Sequence, residues 1–176
     1  MLGDTAVAVN PKDKRYKNFV SKYVILPIVE KKIKIIADDY ADPEQGTGAV
    51  KITPAHDFND YEVGIRNKLE IINVFTEDGK INKNAPSEYV GLDRFEARKK
   101  IISELKNKNL FVKDEDIKNK VPYGDRSNSI IEPYLTEQWF ADAKKLSNKA
   151  KKIVKSKKTN FFPTNWSKTY FQWMDN

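Results

Sequence analysis

Residues 46–64, GTGAVKITPAHDFNDYEVG, place a lysine, a histidine and two aspartates (Lys51, His56, Asp57 and Asp60) within a short stretch of chain. The pattern reads as a strand over Ala49–Thr53 stopped by Pro54, followed by a helix from Asp57 to Arg66. Side chains alternate across a strand, so Val50 and Ile52 face one side while Lys51 and Thr53 face the other. Asp57 and Asp60 are three positions apart and share a helical face, projecting towards one point above the first turn. Such a pair suits a small cationic ligand with hydroxyls. One carboxylate holds an ammonium through a charge-assisted bond and the other accepts from a hydroxyl. The same residues also have a purely structural use, with Asp57 capping the helix and Asp60 complementing its dipole, for about 1 kcal/mol between them. The residues alone leave both uses open. His56 is likewise either a hydrogen-bonding loop histidine or a member of the site.

Several chemistries are excluded by what the chain lacks. Its 176 residues include no cysteine, which removes thiol nucleophiles, disulfides and thiolate metal sites, and the single histidine rules out a multi-histidine metal centre. There is no phosphate-binding P-loop and no dinucleotide fingerprint, and Gly46-Thr47-Gly48 is too short for either. No serine stands in a nucleophile-elbow context that His56 could serve. The longest apolar stretch, Tyr23 to Val29, is broken by Pro27 and falls far short of the roughly 20 residues that cross a bilayer. No membrane partner is expected. The first residues carry no basic region followed by an apolar run, so a cytoplasmic setting is expected. At 39% hydrophobic and 32% charged, the chain can bury a core and does not have a disordered composition.

The elements that must position the site read as mixed α and β. Thr5–Val9 is a strand ended by Asn10-Pro11, and Val24–Val29 with Lys32–Ile36 forms a hairpin. Asp38–Gly48 is a loop, Glu70–Phe75 a strand, and Glu77–Lys80 a turn. Asp93–Asn107 is a helix, because Asp93 and Glu96 make a capping box and Phe95, Ile101, Ile102 and Leu105 recur at helical spacing, with Asn109 as the stop. Leu110–Lys113 and Ile130–Leu135 read as further strands around a turn-rich Val121–Asp125. A lysine-rich helix follows Trp139-Phe140, with Leu146, Ala150 and Ile153 as its apolar stripe.

The net charge of +7 is concentrated in that helix. Between Asp142 and Lys158, lysines 144, 145, 149, 151, 152, 155, 157 and 158 face one aspartate. Lys144, Lys145, Lys151 and Lys152 are candidate nucleic-acid contacts. A solvated lysine face is the plainer alternative, since lysine far outnumbers arginine along the whole chain.

MLGDTAVAV, GTGAVKITPAHDFNDYEVG, GLDRFEARKKI, VPYGDR, IEPYLTEQWF and NWSKTYFQWMDN, in that order, resemble the valyl-tRNA synthetase family of class I aminoacyl-tRNA synthetases. The resemblance covers essentially the whole chain. Gly124-Asp125-Arg126 together with residues 131–140 points to the valyl branch rather than the isoleucyl or leucyl ones. It implies a β-barrel-like editing domain with peripheral helices over residues 1–128. Over residues 129–176 it implies a helical segment returning to the catalytic domain, on which Trp139, Phe140, Phe161, Phe162, Trp166, Tyr170, Phe171 and Trp173 would pack. It further implies hydrolysis of threonine misattached to the valine tRNA. A hydrophobic synthetic site rejects threonine, nearly isosteric with valine, only weakly, a limit for which this family is the usual illustration. By resemblance, Asp60 would hold the α-ammonium and Asp57 would accept from the threonine hydroxyl. Lys51 would support the pocket or the terminal adenosine, with Thr53 and His56 among the substrate-binding residues. Valine would leave Asp57 without a partner and its ester would be spared. Editing needs no cofactor, whereas ATP and magnesium serve the catalytic domain.

Family members carry a threonine- and arginine-containing motif just before the MLGDTAVAV stretch, and ATP-binding motifs elsewhere, none of which stands in these 176 residues. The expectation is therefore a fragment whose partners are the 3′ end of the valine tRNA and the rest of the parent synthetase. Two other readings remain: a non-catalytic tRNA-binding piece using the lysine helix, and an inert fragment.

Overall fold

The computed structural model describes residues 1–114 and 120–175. They form two compact units, Met1–Leu135 and Thr136–Asn176. The first is built on a four-stranded sheet of β1 (Ala6–Val9), β2 (Tyr23–Leu26), β3 (Lys31–Ala37) and β4 (Ala49–Ile52). The spatial order is β2-β3-β1-β4, with β1 parallel to β3 and the other pairs antiparallel. Strands β2 and β3 are the expected hairpin, but the turn spans Pro27–Glu30, with Ile28 and Glu30 at φ 71° and 55° and the Glu30 amide closing onto the Leu26 carbonyl at 2.9 Å.

Helix α1 (Phe58–Arg66) packs on this sheet, where Val63 joins Ala6, Ala8, Ile36, Ala41 and Ile52 in a buried cluster. Alanines on β1 keep the surface shallow, so the helix can lie close. A second cluster gathers Leu2, Val74, Ile81, Ala85, Tyr89 and Ala97 under helix α2 (Arg94–Asn107). Asp93 caps α2 by accepting from the Phe95 amide at 2.8 Å, and Asn109, at φ 55°, ends it in the left-handed conformation that asparagine tolerates. Ala97, not Phe95, faces the core. Phe95 instead lies outward beneath the Arg94 and Arg98 guanidinium groups, at 4.6 and 5.7 Å.

The sheet is open, and the barrel-like closure implied by the resemblance is absent among the described residues. The stretches that would extend it, Glu70–Phe75, Leu110–Lys113 and Ile130–Leu135, are irregular, with isolated bridges only at Phe75–Ile81 and Tyr123–Ile130. Their apolar side chains have strand-like composition, but their backbones pair with no ladder. Val74 packs into the second cluster, and the Ile130 carbonyl accepts from Arg94 Nη2 at 3.0 Å.

In the second unit, helices α3 (Ala143–Lys155) and α4 (Trp166–Asp175) pack on each other. Asp142 caps α3 by accepting from the Lys145 amide at 2.9 Å. Phe161, Tyr170 and Phe171 stack in sequence at centroid distances of 5.0 and 5.4 Å.

Candidate functional site: a lysine and two aspartates on a strand-turn-helix

Strand β4 ends at Ile52 because Pro54 cannot continue the ladder, and the His56 amide closes the turn on the Thr53 carbonyl at 3.1 Å. Helix α1 starts immediately. Asp57, in extended backbone, is its N-cap, and one carboxylate oxygen, Oδ1, accepts from the Asn59 and Asp60 amides at 2.9 and 3.1 Å. The helix is held against the turn by a close approach of Gly64 to Pro54, where a Cβ on Gly64 would lie 2.8 Å from the proline ring.

Asp60 turns back from the first helical turn onto the end of β4. Its Oδ2 accepts from the Thr53 amide at 2.8 Å and from the Lys51 ammonium at 2.6 Å. Its side chain is 1% exposed and that of Lys51 53%, so the lysine lies over the carboxylate as a half-solvated lid. Burial opposes the charge on Lys51. The bond to Asp60, together with the fields of Asp60, Asp57 and Asp4, outweighs it and raises the lysine above its ordinary pKa. The Thr53 hydroxyl donates to buried Asp4. Lys51, Thr53, Asp57 and Asp60 thus meet around a single turn.

Two oxygen atoms in this cluster are left over. Asp60 Oδ1 is buried with no hydrogen-bond partner among the described residues. The half-buried Asp57 uses only Oδ1 in capping, leaving its Oδ2 for another donor. The capping and ligand-binding readings of Asp57 are therefore compatible.

His56 has both ring nitrogens on backbone groups. Nε2 accepts from the Val74 amide at 3.0 Å, which requires the proton to sit on Nδ1, 3.2 Å from the Pro133 carbonyl oxygen. Its ring lies 4.6 Å from that of Phe75, and burial lowers its pKa. His56 braces the turn.

Tyr40 belongs to the cluster and was not expected there. Its amide donates to Asp38 Oδ1 at 3.0 Å. Burial, then the charges of Asp60 and Asp57, raise its pKa. The far end of α1 is anchored nearby in sequence: Arg66 grips Asp38 through two bonds of 2.8 and 2.6 Å, and Asn67 adds a third at 2.8 Å. These partners, with Arg66 foremost, hold the Asp38 carboxyl at about 2.

Lys144, Lys145, Lys151 and Lys152 stand on α3, in the second unit. A cleft of about 410 Å³ beside Arg94, lined by Phe75, Gly79 and Glu132 among others, contains none of the cluster residues.

A family model described as the leucyl-tRNA synthetase editing domain matches residues 5–109, which contain the whole cluster. The chain belongs to this editing-domain family. Among relatives of the editing-domain chain, a valine–tRNA ligase of Pelagibacter ubique (strain HTCC1062) is 80% identical over all 176 residues, which cover 20% of that relative. The ligase of Caulobacter vibrioides is 55% identical over the same span, 19% of its length. That of Coxiella burnetii is 52% identical, again with 19% covered. The editing-domain chain spans about a fifth of the length of these curated relatives.

Proposed function

We propose that the Lys51–Thr53–Asp57–Asp60 cluster binds the aminoacyl end of mischarged threonyl-tRNA for valine and hydrolyses its ester, as the editing part of a valine–tRNA ligase. The observation that carries the reading is the division of labour on Asp57, with one oxygen capping α1 and the other unused beside an aspartate already holding an ammonium. Membership of an editing-domain family and similarity to ligases named for valine support this choice of substrate.

In this reading the α-ammonium of threonine binds Asp60. The contact of Lys51 with Asp60 shows that the carboxylate holds an ammonium at 2.6 Å, and Oδ1 has room in its bonding for one more donor. The half-exposed Lys51 side chain swings aside to admit it. Asp57 Oδ2 accepts from the threonine hydroxyl; valine offers a methyl there and leaves the oxygen desolvated and unpaired, a cost of about 1–3 kcal/mol. Thr53 and His56 hold the turn, Thr53 through Asp60 and Asp4, His56 through Val74 and Pro133. A water held between the two carboxylates attacks the ester carbonyl carbon. The bond from that carbon to the ribose oxygen breaks, the ribose oxygen takes the proton, and threonine and tRNA leave. The neighbouring ribose hydroxyl assists by hydrogen bonding to the departing oxygen. No step calls for a metal or redox group.

Deacylation of threonyl- and valyl-tRNA, both on the valine tRNA, by this chain and by a version extended N-terminally through the family's threonine- and arginine-containing motif tests the reading. Hydrolysis of the threonyl ester with the valyl ester spared is the expected outcome. Equal rates for both esters, or no hydrolysis by either folded form, would contradict it.

A further inference from the structure

Asp4 stands just ahead of β1 and is only 4% exposed, a costly place for a carboxylate unless a donor meets it. Strands β1 and β4 are antiparallel with Ala6 opposite Ile52, and the Thr5 amide extends the pairing onto the Ile52 carbonyl at 2.9 Å. The chain ahead of β1 therefore lies beside the end of β4. There the buried Thr53 hydroxyl, 49 positions away in sequence, donates to Asp4 Oδ1. The other charged neighbour of Asp4 is the Met1 amino group at 3.3 Å. In an N-terminally extended chain that nitrogen is an uncharged peptide amide, and the bond from Thr53 remains.

Thr53 has every polar group committed. Its hydroxyl is on Asp4, its carbonyl accepts from the His56 amide at 3.1 Å, and its amide donates to Asp60 Oδ2 at 2.8 Å. Its methyl is confined as well, since a Cβ on Gly3 would lie 3.5 Å from Thr53 Cγ2 and 2.9 Å from the Ile72 carbonyl oxygen. A β-branched side chain is stiff at χ1, so a bond that fixes the hydroxyl also resists rotation of the backbone amide.

The consequence falls on Asp60. Its Oδ2 takes two donors, the Thr53 amide and the Lys51 ammonium. The amide is part of the backbone, whereas the Lys51 side chain is long and 53% exposed, so the direction of the planar carboxylate is set mainly by Thr53. That direction decides where the buried, unpartnered Oδ1 points.

We propose that Asp4 is a positioning residue of the site: through the Thr53 hydroxyl it fixes the Thr53 amide and so aims Asp60 Oδ1 at the ammonium of a bound amino acid. The identity of that ligand rests on the editing reading above; the chain of bonds from Asp4 to Asp60 does not.

The test compares Asp4→Ala, Asp4→Asn, Thr53→Val and the double variant Asp4→Ala with Thr53→Val. Asparagine keeps an oxygen that accepts from the Thr53 hydroxyl and removes the charge. Hydrogen exchange in the present chain is read at the Thr53 amide and at the Ala97 amide, which bonds the Asp93 carbonyl in α2 and reports overall stability. Asp4→Ala is expected to speed exchange at Thr53 by about tenfold beyond any change at Ala97, with Asp4→Asn restoring most of the protection. In the N-terminally extended chain, threonyl-ester hydrolysis is expected to fall about tenfold in Asp4→Ala and in Thr53→Val, mainly through a raised KM, and no further in the double variant. Asp4→Asn should recover to within about threefold of the parent. Parallel changes at Thr53 and Ala97 would make Asp4 a contributor to overall stability alone and overturn the proposal. An Asp4→Asn variant as impaired as Asp4→Ala, or additive losses in the double variant, would show that Asp4 does not act through the Thr53 hydroxyl and would overturn it too. If the parent extended chain hydrolyses neither ester, the editing reading fails, while the exchange comparison still decides whether Asp4 holds the Thr53 amide.

Discussion

Asp57 combines two uses on one side chain, and conservative variants separate them. Asp57→Ala removes the cap and the carboxylate together, and is expected to cost about 1 kcal/mol of stability in chemical denaturation. Asp57→Asn keeps a capping oxygen but withdraws the charge, so stability stays near that of the parent while threonyl-ester hydrolysis falls. His56 makes a different prediction. Its pKa is lowered by burial, so the folded state favours the neutral ring; the stability this contributes is present above pH 6.5, the ordinary value, and is lost as pH falls from there through the lowered one. Charging it turns the acceptor for the Val74 amide into a donor. Denaturant midpoints measured from pH 7.5 to 5 are expected to fall for the parent chain. His56→Asn should start lower and stay flat across that range; parallel curves would show that His56 does not carry the effect. The four-residue cluster was legible in the sequence because strand alternation, a proline stop and a three-residue aspartate spacing are local rules. The burial of Asp60 was not, since it depends on the helix folding back on β4. Tyr40 was not either, since it arrives from a loop whose own pattern says only that it turns.

At the level of elements, α1 has to sit at one height on β4 for Asp60 to reach both Lys51 and the Thr53 amide. Two contacts set that height. At the Pro54 end, Gly64→Ala would put a methyl 2.8 Å from the proline ring, forcing the helix outward at a cost of about 1–3 kcal/mol, measurable as a lower Tm. Two residues further along the helix, Asp38 binds Arg66 and Asn67. Its pKa of about 2 lies below the ordinary 3.8, so the stability it contributes is present above pH 4 and disappears as pH falls from about 4 to 2. With Arg66 half exposed to solvent, that contribution is about 1–2 kcal/mol. Asp38→Asn should reduce the dependence in this window, to which Asp13, Asp78 and Asp175 also contribute, and an acid titration of stability unchanged by the substitution would refute the anchor. Helices α1 and α2 were readable because Asp57 and Asp93 each mark a start by capping, and α3 because Leu146, Ala150 and Ile153 recur at helical spacing. The stretches at 70–75, 110–113 and 130–135 have the composition of strands, and what they lack is a partner ladder, which composition does not encode. The parallel β1–β3 pairing skips the intervening β2 and has no local signal at all.

Across the whole molecule, charge and apolar exposure are distributed unevenly. The second unit holds the lysine-rich helix and also Trp139, Phe140, Phe162 and Trp173, all largely exposed. Apolar surface of that kind drives association. Sedimentation velocity at rising concentration is expected to show self-association that the double substitution Trp139→Ser with Phe140→Ser reduces; a monomer at all concentrations would mean these rings are covered in solution. The mixed α/β class and the family were evident from the sequence. The open form of the sheet was not, because closure is decided by which strands pair across the molecule and not by any one of them. Family membership, the strand-turn-helix geometry and the unused Asp57 oxygen converge on one central claim, that a hydroxyl on the amino acid is what this site selects. The most direct test is the ratio of threonyl- to valyl-tRNA hydrolysis by the N-terminally extended chain with Asp57 and with Asp57→Asn. The account predicts a ratio well above one that collapses tenfold or more in the variant with its fold intact. A ratio unchanged by the substitution would contradict it and leave Asp57 as a helix cap alone.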